Sequence, residues 1–385
     1  MDYLKIRGSY GLVGSDGFEN FSHFTYFDQV NLGGGGKYVF GPSGDTKIQF
    51  TSPGVGAYAV DGATWERVKK LDFGVDFTLF REVNVTADYF KDQRDRIMLK
   101  RGSWPDITGY WNAVPWGQVG KAENHGVEFS VNWSHKIDQD WQFDFRTNFT
   151  YTKNKYVEYD EPDYPYVWQN HKGKPLSGYR VEGYIAEGLF GSEEEIAQSP
   201  DQQLGSQVRP GDIKYRDVDG NGVINSLDQV MISPYGWRPR IQYGIGSTLH
   251  WKNFDLGVFF NGSAKRSIYI SGITPFGNDL NNVMKFISED HWSLINPNPD
   301  AAYPRLGTTD SDVKNNTVVS TYWLRNGDFI RFKTLELGYN FKSGRVYVNG
   351  DNIAVWSPFK LWDPELAWNA YPLSRTFTVG LQWQF

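Results

Sequence analysis

Cysteine is absent from this 385-residue chain, which excludes both a disulfide framework and a thiolate metal site. No apolar run approaches the roughly 20 residues that a membrane-crossing helix needs, and mean hydropathy is −0.53. A helical membrane protein is therefore excluded. A transmembrane barrel is not, because its strands alternate lipid-facing and lumen-facing residues and average out as polar. There is no basic excess either: 39 Lys and Arg stand against 45 Asp and Glu, a net charge of −6, unlike the usual nucleic-acid binder. The opening residues Met1 to Ile6 carry no basic-then-apolar leader and run almost at once into a strand pattern, so we expect a front end outside this chain.

Catalytic signatures are missing as well. The six histidines, His23, His125, His135, His171, His250 and His291, show no zinc-protease spacing. The glycine run Gly33 to Gly36 lacks the Lys-Ser/Thr and helix of a phosphate loop. No motif points to an enzyme.

What the sequence has in abundance is aromatic residues, 17% of the chain with 26 Phe, 23 Tyr and 15 Trp, and it places them in alternation. Phe377, Val379, Leu381, Trp383 and Phe385 enclose Thr378, Gly380, Gln382 and Gln384. Since strand side chains point alternately to opposite faces, this is a strand with one apolar, aromatic face, as lipid requires. The same period recurs at Ile241 to Trp251, Phe254 to Phe260, Val127 to Trp133, Trp141 to Tyr151 and Leu71 to Leu79. Charges at the intervening positions suit a watery lumen better than a dry core, where each would need a partner.

Short links near 80–83, 137–141, 251–254 and 341–345 alternate with long ones at roughly 30–64, 100–120, 159–238, 272–325 and 356–374. Short periplasmic turns and long extracellular loops are the habit of outer-membrane barrels. With Phe385 at the periplasmic side, every short link falls at that side. The pattern predicts about eleven strands, including one at about 20–31. The expected fold is an all-β, antiparallel transmembrane barrel segment with long extracellular loops, and 159–238 is its longest excursion.

Within that excursion, Asp217-Val-Asp-Gly-Asn-Gly-Val-Ile-Asn-Ser-Leu-Asp228 fits the twelve-residue calcium loop, with oxygen ligands at positions 1, 3 and 5, Gly at 6 and an acid at 12. Asp217, Asp219 and Asn221 would offer side chains, Val223 its carbonyl, Asn225 a direct or water-mediated ligand, and Asp228 the closing carboxylate. The plainer reading is an Asp/Asn/Gly turn that holds its own backbone. The loop aromatics Trp104, Tyr110, Trp111, Trp116, Trp168, Trp237, Trp356, Trp362 and Trp368 could stack on sugar rings; interfacial anchoring or packing between loops is the expected role of each. Glu158, Asp160, Glu161 and Asp163 read as a solvated acidic loop, and Ser192 with Glu193 to Glu195 as a capping box that opens a short helix.

Several strings follow in order along nearly the whole chain: Lys5 to Gly11, Trp65-Glu66 with Leu71 to Asp76, Ala87-Asp88-Tyr89-Phe90, Gly120 to Glu128 and Gly211 to Asp217. Tyr303-Pro304-Arg305-Leu306, Asp363-Pro364-Glu365 and Arg375 to Phe385 complete the series. Together they resemble the SusC/RagA family of TonB-dependent outer-membrane transporters. The resemblance implies that residues 1–385 are the C-terminal portion of such a barrel, about eleven strands of 22, without the plug domain. It implies import of oligosaccharides or oligopeptides across the outer membrane of a Gram-negative, Bacteroidetes-like bacterium. Partners would be outer-membrane lipid, a SusD-like surface lipoprotein, TonB (through the missing N-terminal region) and a glycan or peptide substrate, with no nucleic acid. No cofactor would be required beyond a structural calcium ion, and Phe385 would be the signal read by the barrel-assembly machinery. The alternatives are a soluble all-β carbohydrate-binding or hydrolytic domain and a non-transport adhesion barrel.

Overall fold

The computed structural model describes residues 1–16, 26–41, 48–105, 107, 114–270, 283–307, 309, 311–366 and 370–384. Ten long strands form one antiparallel sheet: β1 (Tyr3–Ser15), β2 (Glu66–Leu79), β3 (Val83–Lys100), β4 (Trp116–Lys136), β5 (Trp141–Glu158), β6 (Ile241–Trp251), β7 (Phe254–Ala264), β8 (Phe329–Phe341), β9 (Gly344–Trp356) and β10 (Thr376–Trp383). Each strand pairs with the next in chain order. The sheet is an antiparallel barrel wall, as the alternation predicts.

The strand count differs from the expected eleven. Tyr3 to Ser15 pairs directly with β2, Ile6 opposite Val75, and among the described residues no wall strand lies between them. Of the expected strand at 20–31, residues 20–25 lie outside the described residues. Gln29–Asn31 instead pairs with Gly54–Ala57 in a small sheet of its own. The connection 16–65 is thus one long excursion, and β1 runs opposite to the direction that eleven strands require. Polar and apolar alternation is the same in a loop hairpin as in a wall strand, so the period alone could not separate them.

The register aligns one apolar face across the sheet. Val379, Val348 and Leu337 are cross-strand neighbours, as are Val75, Ala87 and Phe129. This outward face is bare: Phe377, Val379 and Leu381 are 69%, 75% and 65% exposed. Left in water, such a face costs about 25 cal/mol for each Å², and lipid removes that cost. Near the short turns the outward rings meet across neighbouring strands: Trp133 with Phe143, Trp141 with Trp251, Trp251 with Phe254, Phe254 with Tyr339, and Phe341 with Trp383. Aromatic rings gather at the water boundary of a membrane because one edge tolerates each phase.

The hydrophobic core of the molecule is not in the wall. Tyr184, Leu189, Ile213, Tyr215, Ile224, Ile268, Ile287, Trp292, Trp323 and Phe359 pack together above the sheet, drawn from the three excursions after β5, β7 and β9. We call this unit the crown. Short strand pairs and the helices Glu193–Ala197, Lys285–Glu289 and Lys314–Thr317 build it.

Candidate functional site

The inward face is the first candidate, because barrel strands present their polar residues there. Arg7 on β1 reaches Asp76 at 2.8 Å and Asp88 at 2.9 Å, so one guanidinium spans three strands. Gly74 lies between the partners, and a Cβ there would collide with both Arg7 and Asp88. Arg345 on β9 repeats the device: it pairs with Asp255 on β7 and with Glu336 at 2.6 Å, passing Gly338, where a Cβ would meet both charged groups. Asp144 and His250 pair at 2.9 Å. Arg146 lies over the Phe259 ring, 5.4 Å from its centroid. The face is charged and internally neutralised, which suits a wet passage that holds nothing tightly.

The acidic loop lies in the crown. Asp217, Asp219 and Asp228 each bring a carboxylate oxygen within 4.8 Å of the other two, and no Lys or Arg among the described residues pairs with them. Local hydrogen bonds shape the loop. Asp217 accepts from the N–H groups of Gly220 at 2.7 Å and Gly222 at 2.8 Å. Asn221 Oδ1 accepts from Val223 N at 2.8 Å, and Asn225 Oδ1 from Leu227 N at 2.8 Å. Asp228, wholly buried, accepts from Val218 N and Asn225 N, each at 2.8 Å. Gly220 and Gly222 adopt φ of 73° and 85°, the left-handed region that glycine enters without cost. Burial works against charge on Asp217, but the Gly222 and Gly220 amides outweigh it and hold its pKa below the usual carboxylate range. The flanks are not the helix pair of an EF-hand: Ile213–Tyr215 is extended, and only the turn Ser226–Asp228 follows.

Two buried clamps tie the crown together and to the wall. Arg305 Nε lies 2.7 Å from Asp212, which is fully buried, and Asn316 Nδ2 donates to the same carboxylate at 2.6 Å. Burial pushes the Asp212 carboxyl up, while Arg305 pulls it down. Gln202 Nε2 donates to Asn315 Oδ1 at 2.8 Å, and Asn315 Nδ2 to Ile213 O at 3.0 Å. In the second clamp Arg331, 1% exposed, pairs with Asp363 at 2.6 Å and Glu365 at 2.9 Å, and donates to Asn352. The bulge at Lys333 explains its direction: below it Leu335 and Leu337 face outward, above it Phe332 does, and Arg331 therefore turns inward.

Asp212, Arg305, Asp363 and Glu365 belong to strings that the sequence singled out, whereas Arg331, Asn315, Asn316 and Gln202 were missed. Nothing in the local sequence marks the Lys333 bulge or these separations. The expected helix after Ser192 is present, with Ser192 Oγ accepting from Glu195 N at 3.3 Å. Asp160 and Glu161 are held more firmly than a solvated loop implies. Asp160 pairs with Arg101 at 2.7 Å, and Glu161 accepts from His171 N at 2.7 Å. Trp168 stacks on Tyr166 with centroids 4.5 Å apart and donates to Leu227 O at 2.9 Å, against the acidic loop. Trp362 donates to Ala370 O at 2.8 Å. Trp104 and Trp116 each lie near a cation, Arg101 and Lys100, and Trp356 is exposed at the upper, outward end of β9. Trp237, 63% exposed beneath Arg238, is the most open of the described residues among the loop tryptophans proposed to stack on sugar rings. Tyr110, Trp111, Trp368 and Phe385 lie outside the described residues.

No family model matches the chain. Curated relatives match along almost all of it. The TonB-dependent receptor P3 of Formosa agariphila is 27% identical over 424 residues, covering 99% of this chain and 39% of the relative. The TonB-dependent receptor SusC of Bacteroides thetaiotaomicron is 26% identical over 409 residues, covering 99% and 37%. The chain therefore spans about two fifths of the length of these relatives. Among solved structures, the RagAB peptide transporter superposes with a TM-score of 0.67 at 19% identity, over 99% of this chain and 41% of that one. The ten-strand wall, the quoted strings in their order and these matches agree: along 99% of its length the chain is similar to TonB-dependent receptors of the SusC kind, and its fold is that of the RagAB barrel wall.

Proposed function

We propose that this chain forms wall and crown of an outer-membrane importer that takes up oligosaccharides or oligopeptides in a TonB-dependent manner. The carrying observation is the ten-strand sheet with one continuous apolar face and one polar, self-neutralised face. Its work is containment and passage, with no bond chemistry. The crown would meet a SusD-like surface lipoprotein, and TonB would act through a region outside this chain. The match to relatives named as TonB-dependent receptors supports the energy source, and the likeness in fold to the RagAB peptide transporter supports peptides as one substrate class.

The test is fractionation followed by uptake. The protein should sediment with outer membranes and need detergent for extraction, and cells lacking it should lose accumulation of labelled oligopeptides or oligosaccharides. Extraction by salt or carbonate alone would overturn the reading, and so would unchanged uptake of both classes.

We also propose that the acidic loop holds a structural calcium ion. The fit is in the donor set: three carboxylates converge without a paired cation, and hard oxygens are what calcium takes. Asp217, Asp219 and Asp228 would hold it with Asn221, Asn225 and the Val223 carbonyl. The ion would supply positive charge against these carboxylates. Metal analysis of the purified protein should find calcium that is lost in Asp217→Ala and Asp219→Ala; equal content in all three would end the proposal.

A further inference from the structure

The outward face changes character abruptly above its apolar band. Leu71 on β2, Tyr89 on β3, Val127 on β4 and Tyr151 on β5 are outward and apolar. One step higher on the same faces stand Lys69, Lys91, His125 and Lys153, then Glu123 and Lys155. The pairings make this a contiguous patch: Lys69 is opposite Gln93, Gln93 opposite Glu123, and Glu123 opposite Lys155, while Lys91, His125 and Lys153 form the row below. Lys265 joins from the next connection, 5.1 Å over the outward Tyr151 ring. The patch borders a groove of about 720 Å³.

Charge within the patch is one-sided. Glu123 is the carboxylate among these lysines, 3.0 Å from Lys91 and 4.0 Å from Lys155. Higher still, Arg67 pairs with Asp95 and Lys121 with Glu158. Lys69, Lys153 and Lys265 have no carboxylate partner among the described residues. This surplus belongs to a chain whose net charge is −6. Lysines placed where acyl chains give way to headgroups keep their stems in lipid and their ammonium groups at the phosphate level.

We propose that this patch is a binding site for a phosphate-bearing glycolipid of the leaflet on the long-loop side. Its acyl chains would lie on the Leu71, Tyr89, Val127 and Tyr151 band, and its phosphates would be held by Lys69, Lys91, Lys153 and Lys155. Charge complementarity selects this occupant, since an uncharged headgroup leaves three bare ammonium groups without a counter-ion. The proposal rests on the outer-membrane reading above.

The test uses the protein extracted in detergent from its own membrane, with lipid A and its dephosphorylated form as probes in native mass spectrometry. Wild type should retain lipid A and prefer it at least tenfold over the dephosphorylated form. Lys69→Gln with Lys153→Gln should weaken retention by roughly fivefold for each lysine removed. Glu123→Gln, which frees Lys91 and Lys155, should strengthen it. Equal retention of the two lipids, or indifference to all three substitutions, overturns the site. A protein that leaves the membrane without detergent overturns the outer-membrane reading instead, so the two failures are distinguishable.

Discussion

Arg331 shows what a single side chain carries here. It is almost completely buried between the wall and the connection after β9, with its charge answered by Asp363 and Glu365. Removing one partner of a buried pair leaves an uncompensated charge, at a cost of about 3 to 5 kcal/mol. Asp363→Ala should therefore destabilise that connection by an amount near the lower bound, since Glu365 remains; protease nicking within 357–374 reads it, and unchanged nicking counts against the clamp. Asp217 makes a pH prediction. Its folded pKa is depressed, so its stabilisation is complete above the ordinary carboxylate value and is lost as pH falls through the depressed one. Asp212 is raised and acts in the opposite sense, favouring the fold at low pH and losing that share as pH rises. Trp168, bonded to Leu227 O, reports on the acidic loop: its emission should stay constant on acidification to about pH 5 and change below about pH 4. A change centred near neutrality would contradict this assignment.

At the scale of strands, the two faces make opposite predictions for the same chemistry. Val348 faces outward in mid-strand beside Val379 and Leu337, and Val348→Lys should cost about 2 to 4 kcal/mol in a bilayer. Asn349 faces inward opposite Glu336, and Asn349→Lys should change stability by less than about 1 kcal/mol. Urea unfolding in lipid distinguishes them; equal costs would remove the assignment of faces. The turn between β2 and β3 is another case. Phe80 and Arg81 both have positive φ, 55° and 59°, the geometry for which Asn-Gly is favoured. Replacing them by Asn-Gly should stabilise the hairpin by about 1 kcal/mol, again measured by urea midpoint.

These faces were legible because strict alternation over strands such as Ile241–Trp251 leaves no other reading. The segment Gln29–Asn31 was misread because its partner, Gly54–Ala57, is chosen by the loop and not by the pattern. Of the candidate site, the acidic loop was fully visible, since all its candidate ligands are local. The clamps were not: Gln202 meets Asn315 across 113 positions, and only the folded chain brings them together.

On the scale of the whole molecule, wall and crown obey different physics. The wall depends on lipid for its outward face, and the crown has a dry core of its own. If the acidic loop holds the proposed calcium ion, a chelator should loosen the crown and spare the wall, speeding proteolysis within 159–240 while the detergent-resistant β signal stays unchanged. The crown also imposes an order on events in time. Its core draws on three excursions that lie far apart in the chain, and Asp212 meets Asn316 across 104 positions. Four wall hairpins close through short turns and pay little loop-closure entropy, whereas the crown must wait until β5 to β9 already stand side by side. A completed crown therefore testifies to a correctly registered wall, and a surface that recognises only the crown would engage only properly assembled molecules.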